Sequence, residues 1–311
     1  MITRLFILEH ARTSTIHLPN FYIRRALRLL PCLCVVVVVG LIYSALRHSP
    51  AQQSVDRQDG LTALLYLTNW QFIWQGSRSN LFGHTWSLAI EEQFYLLWGA
   101  GAFLLLRHAS SRRAAAIMAI LLLVSWVWRW ALYIQGAGPE WMHYGLDTRI
   151  NELFSGVLLA LTEAAFARHG LARLVRRAQC LGLCGIWMLL AAAIFAHVDT
   201  AMTIFVWQPL CVASTVLIVA DILWAPRGIA TALSAPWLVY LGAISYGIYL
   251  WHALLNWMLI DSPYAGIPVV HVAVSGGLGV VLAAVSFHAM ERPLLTLKPR
   301  LQFRASRMHV G

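Results

Sequence analysis

The chain has 311 residues, of which 59% are hydrophobic and only 12% charged. A soluble domain carries about 25% charged residues, so this composition excludes an ordinary water-soluble fold and specifies a polytopic membrane protein. The formal charge of +10 does not point to nucleic acid, because the arginines cluster in short loops between apolar runs, as membrane topology requires.

Residues 1–28 carry Arg4, Arg12, Arg24, Arg25 and Arg28 and are predicted to be a basic cytoplasmic segment without a signal-peptide core. A valine-rich span follows over about 29–46. The loop 47–60 balances Arg47 and Arg57 with Asp56 and Asp59 and is predicted to be external. The run 61–75 makes a helix of about 22 Å, short of a bilayer core near 30 Å. Reading it as a re-entrant or interfacial helix keeps Arg107, Arg112, Arg113 and the later basic loops on the cytoplasmic side. Further spans are predicted at about 85–106, 114–134, 146–165, 179–196, 202–223, 237–258 and 268–290. The expected fold is an all-α transmembrane helix bundle of about eight spans plus the helix near 61–75. It forms one domain over 1–311, with both termini cytoplasmic and a basic tail at 292–311.

Cys32, Cys34, Cys180, Cys184 and Cys211 all lie in apolar runs without zinc spacing and read as small core residues, so no metal or bound cofactor is expected. Ser275 and Gly279, with Gly276 and Gly277 beside them, read as a small-residue face for close helix packing.

This topology sorts the polar groups into two layers. The outer layer holds His84, Glu91 and Glu92 at the start of 85–106, and Asp147, Arg149 and Glu152 at the start of 146–165. Arg129 and His252 lie late in their spans at the same level. Ionisable groups at membrane depth are costly unless paired or facing a wet cavity, and so mark functional sites. On a helix His84, Ser87, Glu91 and Tyr95 share a face, while Glu92 points about 100° away. The structural alternative is that Glu91 or Glu92 simply neutralises Arg149 or Arg129. In the inner layer Arg25 and Arg28, three residues apart, share a helix face suited to phosphate oxygens; ordinary topological anchoring explains either one alone. His271 and His288 read as core residues, and Asp221 as solvated.

The string His84-Thr85-Trp86-Ser87-Leu88-Ala89-Ile90-Glu91-Glu92-Gln93-Phe94-Tyr95-Leu96-Leu97-Trp98 closely resembles the signature of the acyltransferase-3 family, integral membrane O-acyltransferases that modify sugars of bacterial envelopes and exported glycans. Three more stretches resemble the family in the same order: 21–31, with Arg25 and Arg28; 147–156, with Arg149; and 245–252, ending in His252 and followed by Glu291-Arg292-Pro293. The resemblance implies a bacterial inner-membrane enzyme that moves an acyl group, acetyl first among the candidates, from cytoplasmic acyl-CoA to a hydroxyl of a glycan or glycolipid acceptor. It implies that Arg25 and Arg28 serve the phosphates of the donor. Acyl transfer needs a base near the hydroxyl and a donor to the oxyanion. His84 and His252 are candidate bases, and Glu91 or Glu92 can orient a histidine. Arg149, Trp86 N–H or Tyr249 O–H can donate to the oxyanion, with Ser87 and Gln93 lining the substrate site.

The family pattern normally opens with two further spans, the first carrying a basic residue and a histidine thought to be catalytic. Met1-Ile2-Thr3-Arg4-Leu5 resembles the tail end of the second. The resemblance therefore leads to the expectation of a chain two helices short of the family's usual ten. The alternative to an active transferase is an inactive truncated relative, or a non-catalytic membrane carrier of glycan or acyl groups.

Overall fold

The computed structural model describes residues 2–76, 81–166, 181–195, 200–224, 228–260 and 266–296, and among them no strand occurs. Apolar runs broken by Ser-Pro, Gly-Pro and arginine-rich punctuation become helices because backbone polar groups away from water must be satisfied within the segment. In chain order these are α1 (Ile2–Thr13), α2 (Leu18–Arg47), α3 (Pro50–Leu64), α4 (Thr68–Gln75), α5 (Trp86–His108), α6 (Ser111–Ile134) and α7 (Pro139–Tyr144). There follow α8 (Leu146–Phe166), α9 (Leu181–Phe195), α10 (Gln208–Trp224), α11 (Ile229–Leu233), α12 (Pro236–Met258), α13 (Pro268–Ser286) and α14 (Arg292–Thr296). Two π-helical turns, Thr203–Trp207 and Phe287–Glu291, lead into α10 and out of α13.

Each of the eight predicted spans overlaps a helix among the described residues. Among the described residues, five helical stretches are long and apolar enough to cross a membrane: Leu18–Arg47, Ser111–Ile134, Thr203–Trp224, Pro236–Met258 and Pro268–Leu294. The other three predicted spans fall on α5 and α8, which carry buried or half-buried charges, and on α9, described over 15 residues.

The region between α2 and α5 departs from expectation. The predicted external loop 47–60 is the helix α3, capped by Ser49, whose hydroxyl accepts from Gln52 N at 3.4 Å, with Pro50 in its first turn. The predicted single helix 61–75 is instead the end of α3 and all of α4, separated at Leu65–Leu67, where Tyr66 takes a positive φ of 55°. Asp56 and Asp59 are buried rather than solvated. Asp56 accepts from Ser44 and Gln52 and meets His48 Nδ1 at 2.6 Å, while Gln71 donates to Asp59 and accepts from Thr62 at 2.6 Å.

The chain forms two compact units: A, residues 1–16 and 93–238, and B, residues 17–92 and 239–311. In unit A, α6 and α1 pack on α8, and α9 packs on α10. Trp98 Nε1 donates to Thr3 at 3.0 Å, and Phe94 meets Phe154 edge to face. Unit B has a core of Cys32, Leu33, Val36 and Val37 from α2, Phe82, Ile244, Leu250 and Leu254 from α12, and Ala283 from α13. Ser275, Gly279, Ala283 and Ser286 form the buried stripe of α13, whereas a Cβ on Gly276 or Gly277 would meet nothing within 4 Å. The predicted small-residue face is therefore made by the i, i+4 series, and the two neighbouring glycines point away from it.

Several finer expectations change. Among the described cysteines, all free thiols, Cys32 is buried, but Cys34 and Cys184 are exposed and face outward. His288 is also exposed, stacked on Tyr240, and His271 bonds Asn256 at 2.9 Å, so neither is a plain core residue. Asp221 is buried, at the spot where a Cβ on Gly182 would collide with its carboxylate. Cys180, Asp199, Asp261, Arg227, the basic connection 168–177 and the tail from 297 lie outside the described residues.

Candidate functional site

In unit B the site is built around a turn. Gly83–Thr85 form a 3-10 turn that delivers the chain into α5. Thr85 anchors this turn, donating to Phe82 O at 2.8 Å and pairing with Thr68 of α4 at 2.9 Å. His84 is thereby set with its ring edge-on to Tyr249, centroids 5.5 Å apart. Both imidazole nitrogens of His84 are buried without a hydrogen-bond partner among the described residues.

The Tyr249 hydroxyl donates to the backbone carbonyl of His84 and lies 2.7 Å from Ser87 Oγ. A phenol has one proton, so the Ser87 hydroxyl is the donor in the second contact. Tyr249 thus ties α12 to the His84 turn and to the first turn of α5. Its proton is spent on this tie and is not available to an oxyanion.

His252, three residues on, is exposed, and its ring lies 5.9 Å from that of Tyr249. Its Nδ1 is 2.9 Å from Ile248 O. A carbonyl only accepts, so Nδ1 carries the proton and Nε2 presents a lone pair. The helix backbone at His252 can approach α13 closely because Gly279 lies opposite: a Cβ there would sit 3.1 Å from His252 Cα.

The carboxylates occupy different surroundings. Arg25 Nε lies 2.7 Å from both oxygens of Glu92, and its Nη2 also donates to Oε1, making a bidentate, part-buried pair. This overturns the two-layer sorting of these residues, which counted α5 from the outer surface. The His84 turn is tied to Tyr249 of α12, and Glu92, two turns into α5, meets Arg25 in the first turns of α2. Arg25 and Arg28 consequently do not act as a matched pair of forks, since Arg28 is exposed and has no ion pair among the described residues. Glu91 is half-buried and has no hydrogen-bond or ion-pair partner among them, so no carboxylate contacts either histidine. Trp86 opens α5.

Unit A holds Arg149 and Gln93. Arg149 pairs with Glu152, one turn on, at 3.1 Å. Asp147 is gripped by the indole N–H groups of Trp128, at 2.9 Å, and Trp141, which fixes an acid at the positive end of α8. Arg129 is wholly buried; its Nη2 donates to Gln208 Oε1, and Nε and Nη1 have no hydrogen-bond partner among the described residues. Asn151, also buried, has no hydrogen-bond partner for either amide atom among the described residues. A cavity of about 420 Å³ lies in this unit, lined by Arg4, Arg149, Glu152, Glu163, Gln208 and the apolar faces of α8 and α10. Arg4 and Glu163 form an ion pair of 3.1 Å within it. Sequence reasoning missed Gln208, whose signal was a lone amide directly before a proline in an apolar run. Among the described residues no cluster of three His, Cys, Asp or Glu side chains is disposed to hold a metal.

This is a helical membrane protein with buried ionisable groups in each of its two units. Residues 2–288 match the acyltransferase domain of the acyltransferase-3 family, and the chain belongs to that family. It is similar to the peptidoglycan O-acetyltransferase OatA of Listeria monocytogenes, 31% identical over 94% of this chain and 49% of that protein. It is also similar to the O-acetyltransferase OatA of Staphylococcus aureus, 28% identical over 94% of this chain and 50% of that protein. The chain thus spans about half the length of the curated relatives it matches. No solved structure matches it significantly.

Proposed function

We propose that this protein is a multi-pass membrane O-acyltransferase that moves an acetyl group from cytoplasmic acetyl-CoA to a hydroxyl of a bacterial cell-wall glycan, peptidoglycan before others. Its eight predicted spans would carry donor and acceptor to one site from opposite sides of the inner membrane. The observation that supports the chemistry most directly is His252, an exposed imidazole whose Nδ1 proton is held by Ile248 O, leaving Nε2 as a base. The reaction runs as follows. His252 Nε2 takes the proton of the acceptor hydroxyl as its oxygen attacks the thioester carbonyl. The C–S bond then breaks, and the departing thiolate of CoA recovers that proton. His84 and Tyr249 position the turn at which α5 begins, and Trp86 supplies a hydrogen bond to the oxyanion. Of the two arginines in the basic motif, exposed Arg28, which lies within electrostatic reach of Glu291 but in no ion pair among the described residues, is the one proposed to meet a donor phosphate. Arg25 would first have to release Glu92.

The test is acetyl transfer from labelled acetyl-CoA to peptidoglycan fragments by membranes holding the full protein. Transfer that disappears in His252→Gln at equal protein level is the expected result. Wild-type membranes that consume no donor with any glycan acceptor would return the reading to a non-catalytic relative.

A further inference from the structure

The corner between α2 and α3, in unit B, holds a histidine with the carboxylate contact that His84 and His252 lack. Asp56 is wholly buried; it accepts from Gln52 Nε2 at 3.0 Å and from the Ser44 hydroxyl, and it meets His48 Nδ1 at 2.6 Å. With Asp56 acting as the acceptor, His48 Nδ1 carries the proton and Nε2 presents a lone pair. The His48 side chain keeps 27% of its surface, and its Nε2 makes no hydrogen bond among the described residues. The Tyr43 ring stands edge-on to the imidazole, centroids 5.4 Å apart, and supports its plane. Joining α2 to α3 needs only the Nδ1 proton. A part-exposed Nε2 lone pair backed by a buried carboxylate has the further capacity of a general base, because the carboxylate stabilises the imidazolium formed when Nε2 takes a proton.

Resting on the function proposed above for its substrate, we infer that the Asp56–His48 dyad is a second centre, which hydrolyses acetyl esters of sugars. Such an ester is the product of the proposed transfer, and the dyad lies in the segment 47–60 expected to be external, on the side of the glycan. Water is the co-reactant. His48 Nε2 takes a proton from water as the water oxygen attacks the ester carbonyl. The bond from that carbon to the sugar oxygen then breaks, and the imidazolium returns the proton to the sugar oxygen, leaving acetic acid and a free hydroxyl. Exposed Arg57 is joined to the dyad through Gln53: Arg57 Nε donates to Gln53 O at 3.1 Å, and Gln53 Nε2 donates to His48 O at 2.9 Å. It is the cation that this corner offers to a developing oxyanion.

His48→Asn tests this, because the asparagine amide can still donate to Asp56 where Nδ1 did, while the Nε2 base is gone. With the full chain in proteoliposomes and para-nitrophenyl acetate as the ester probe, hydrolysis should fall about a hundredfold or more. The melting temperature and the transfer of acetyl from acetyl-CoA should both stay at the wild-type level. If His48→Asn is unfolded, wild-type protein labelled with diethyl pyrocarbonate takes its place, and hydrolysis should decline in step with modification of the His48 peptide followed by mass spectrometry. A wild type that does not hydrolyse the ester overturns the dyad and leaves the acyltransferase reading standing; so does hydrolysis that survives in folded His48→Asn or after full labelling of His48. An equal loss of acetyl-CoA transfer in His48→Asn overturns a separate centre. A wild type that hydrolyses the ester through His48 but transfers nothing from acetyl-CoA upholds the dyad, and the acyltransferase reading fails by itself.

Discussion

Arg25 and Glu92, 67 residues apart in the chain, hold one another through a bidentate contact that fastens the first turns of α2 to α5. Both side chains keep about a fifth or less of their surface, at 19% and 16%, so the pair is only lightly screened by solvent. Removing one partner strands the other charge. Arg25→Ala or Glu92→Ala should each lower stability by about 2 kcal/mol. The double replacement should cost less than the sum of the two, which thermal unfolding of the solubilised protein will show as a coupling between the sites. Strict additivity would mean that the contact contributes nothing.

Tyr249 provides a finer probe of the His84 turn. Tyr249→Phe removes the bond to the His84 carbonyl and leaves the Ser87 hydroxyl to find another acceptor. The expected loss in acetyl transfer is about ten- to a hundredfold, by analogy with displacing positioned groups by about an ångström. Ser87→Ala should cost less, since the Tyr249–His84 bond survives it. Initial rates on purified protein decide between them, and a Ser87 effect larger than the Tyr249 effect would reverse the assigned roles.

Neighbouring glycines of α13 should behave in opposite ways. A side chain at Gly279 meets the backbone of His252, whereas one at Gly277 meets nothing. Gly279→Leu is expected to cost about 1–3 kcal/mol through overpacking and to abolish transfer by displacing His252. Gly277→Ala should be neutral or stabilise by up to about 1 kcal/mol, as alanine does over glycine in a helix. Melting temperatures and rates of the two variants, measured side by side, check both statements.

Asp56 takes hydrogen bonds from Ser44 and Gln52 and holds His48, all in a buried setting. Asp56→Ala leaves these groups without their acceptor and should destabilise unit B by about 1–3 kcal/mol. Arg57→Ala, on the exposed side of the same helix, should stay within about 0.5 kcal/mol of wild type. Limited proteolysis of membranes will register the first change as faster cleavage near 47–67, and equal cleavage in both variants would refute it.

The helices were legible because hydrophobic runs of span length leave few other options in a bilayer. The family was legible from 84–98 alone. What failed was depth. Charge counting made 47–60 a loop, although Ser49-Pro50 is a helix-start signal and Asp56, Asp59 and Gln71 supply one another's hydrogen bonds. Starting α5 at the outer face then put Glu92 far from Arg25. Periodicity tells which face a residue occupies and says nothing about where along the membrane normal its helix begins. Gln208 stayed hidden for a related reason, because its meaning depends on Arg129, 79 residues away.

Unit B is assembled from two stretches far apart in the chain, residues 17–92 and 239–311. During synthesis the ribosome must complete all of 93–238 before α12 emerges to clamp the His84 turn. For that interval α2, α3 and α5 wait in the membrane without Tyr249, Leu250 or Leu254 against them. The nascent protein is therefore most vulnerable to quality-control proteases until α12 and α13 have been made, and defects in these helices will be felt first as low protein abundance.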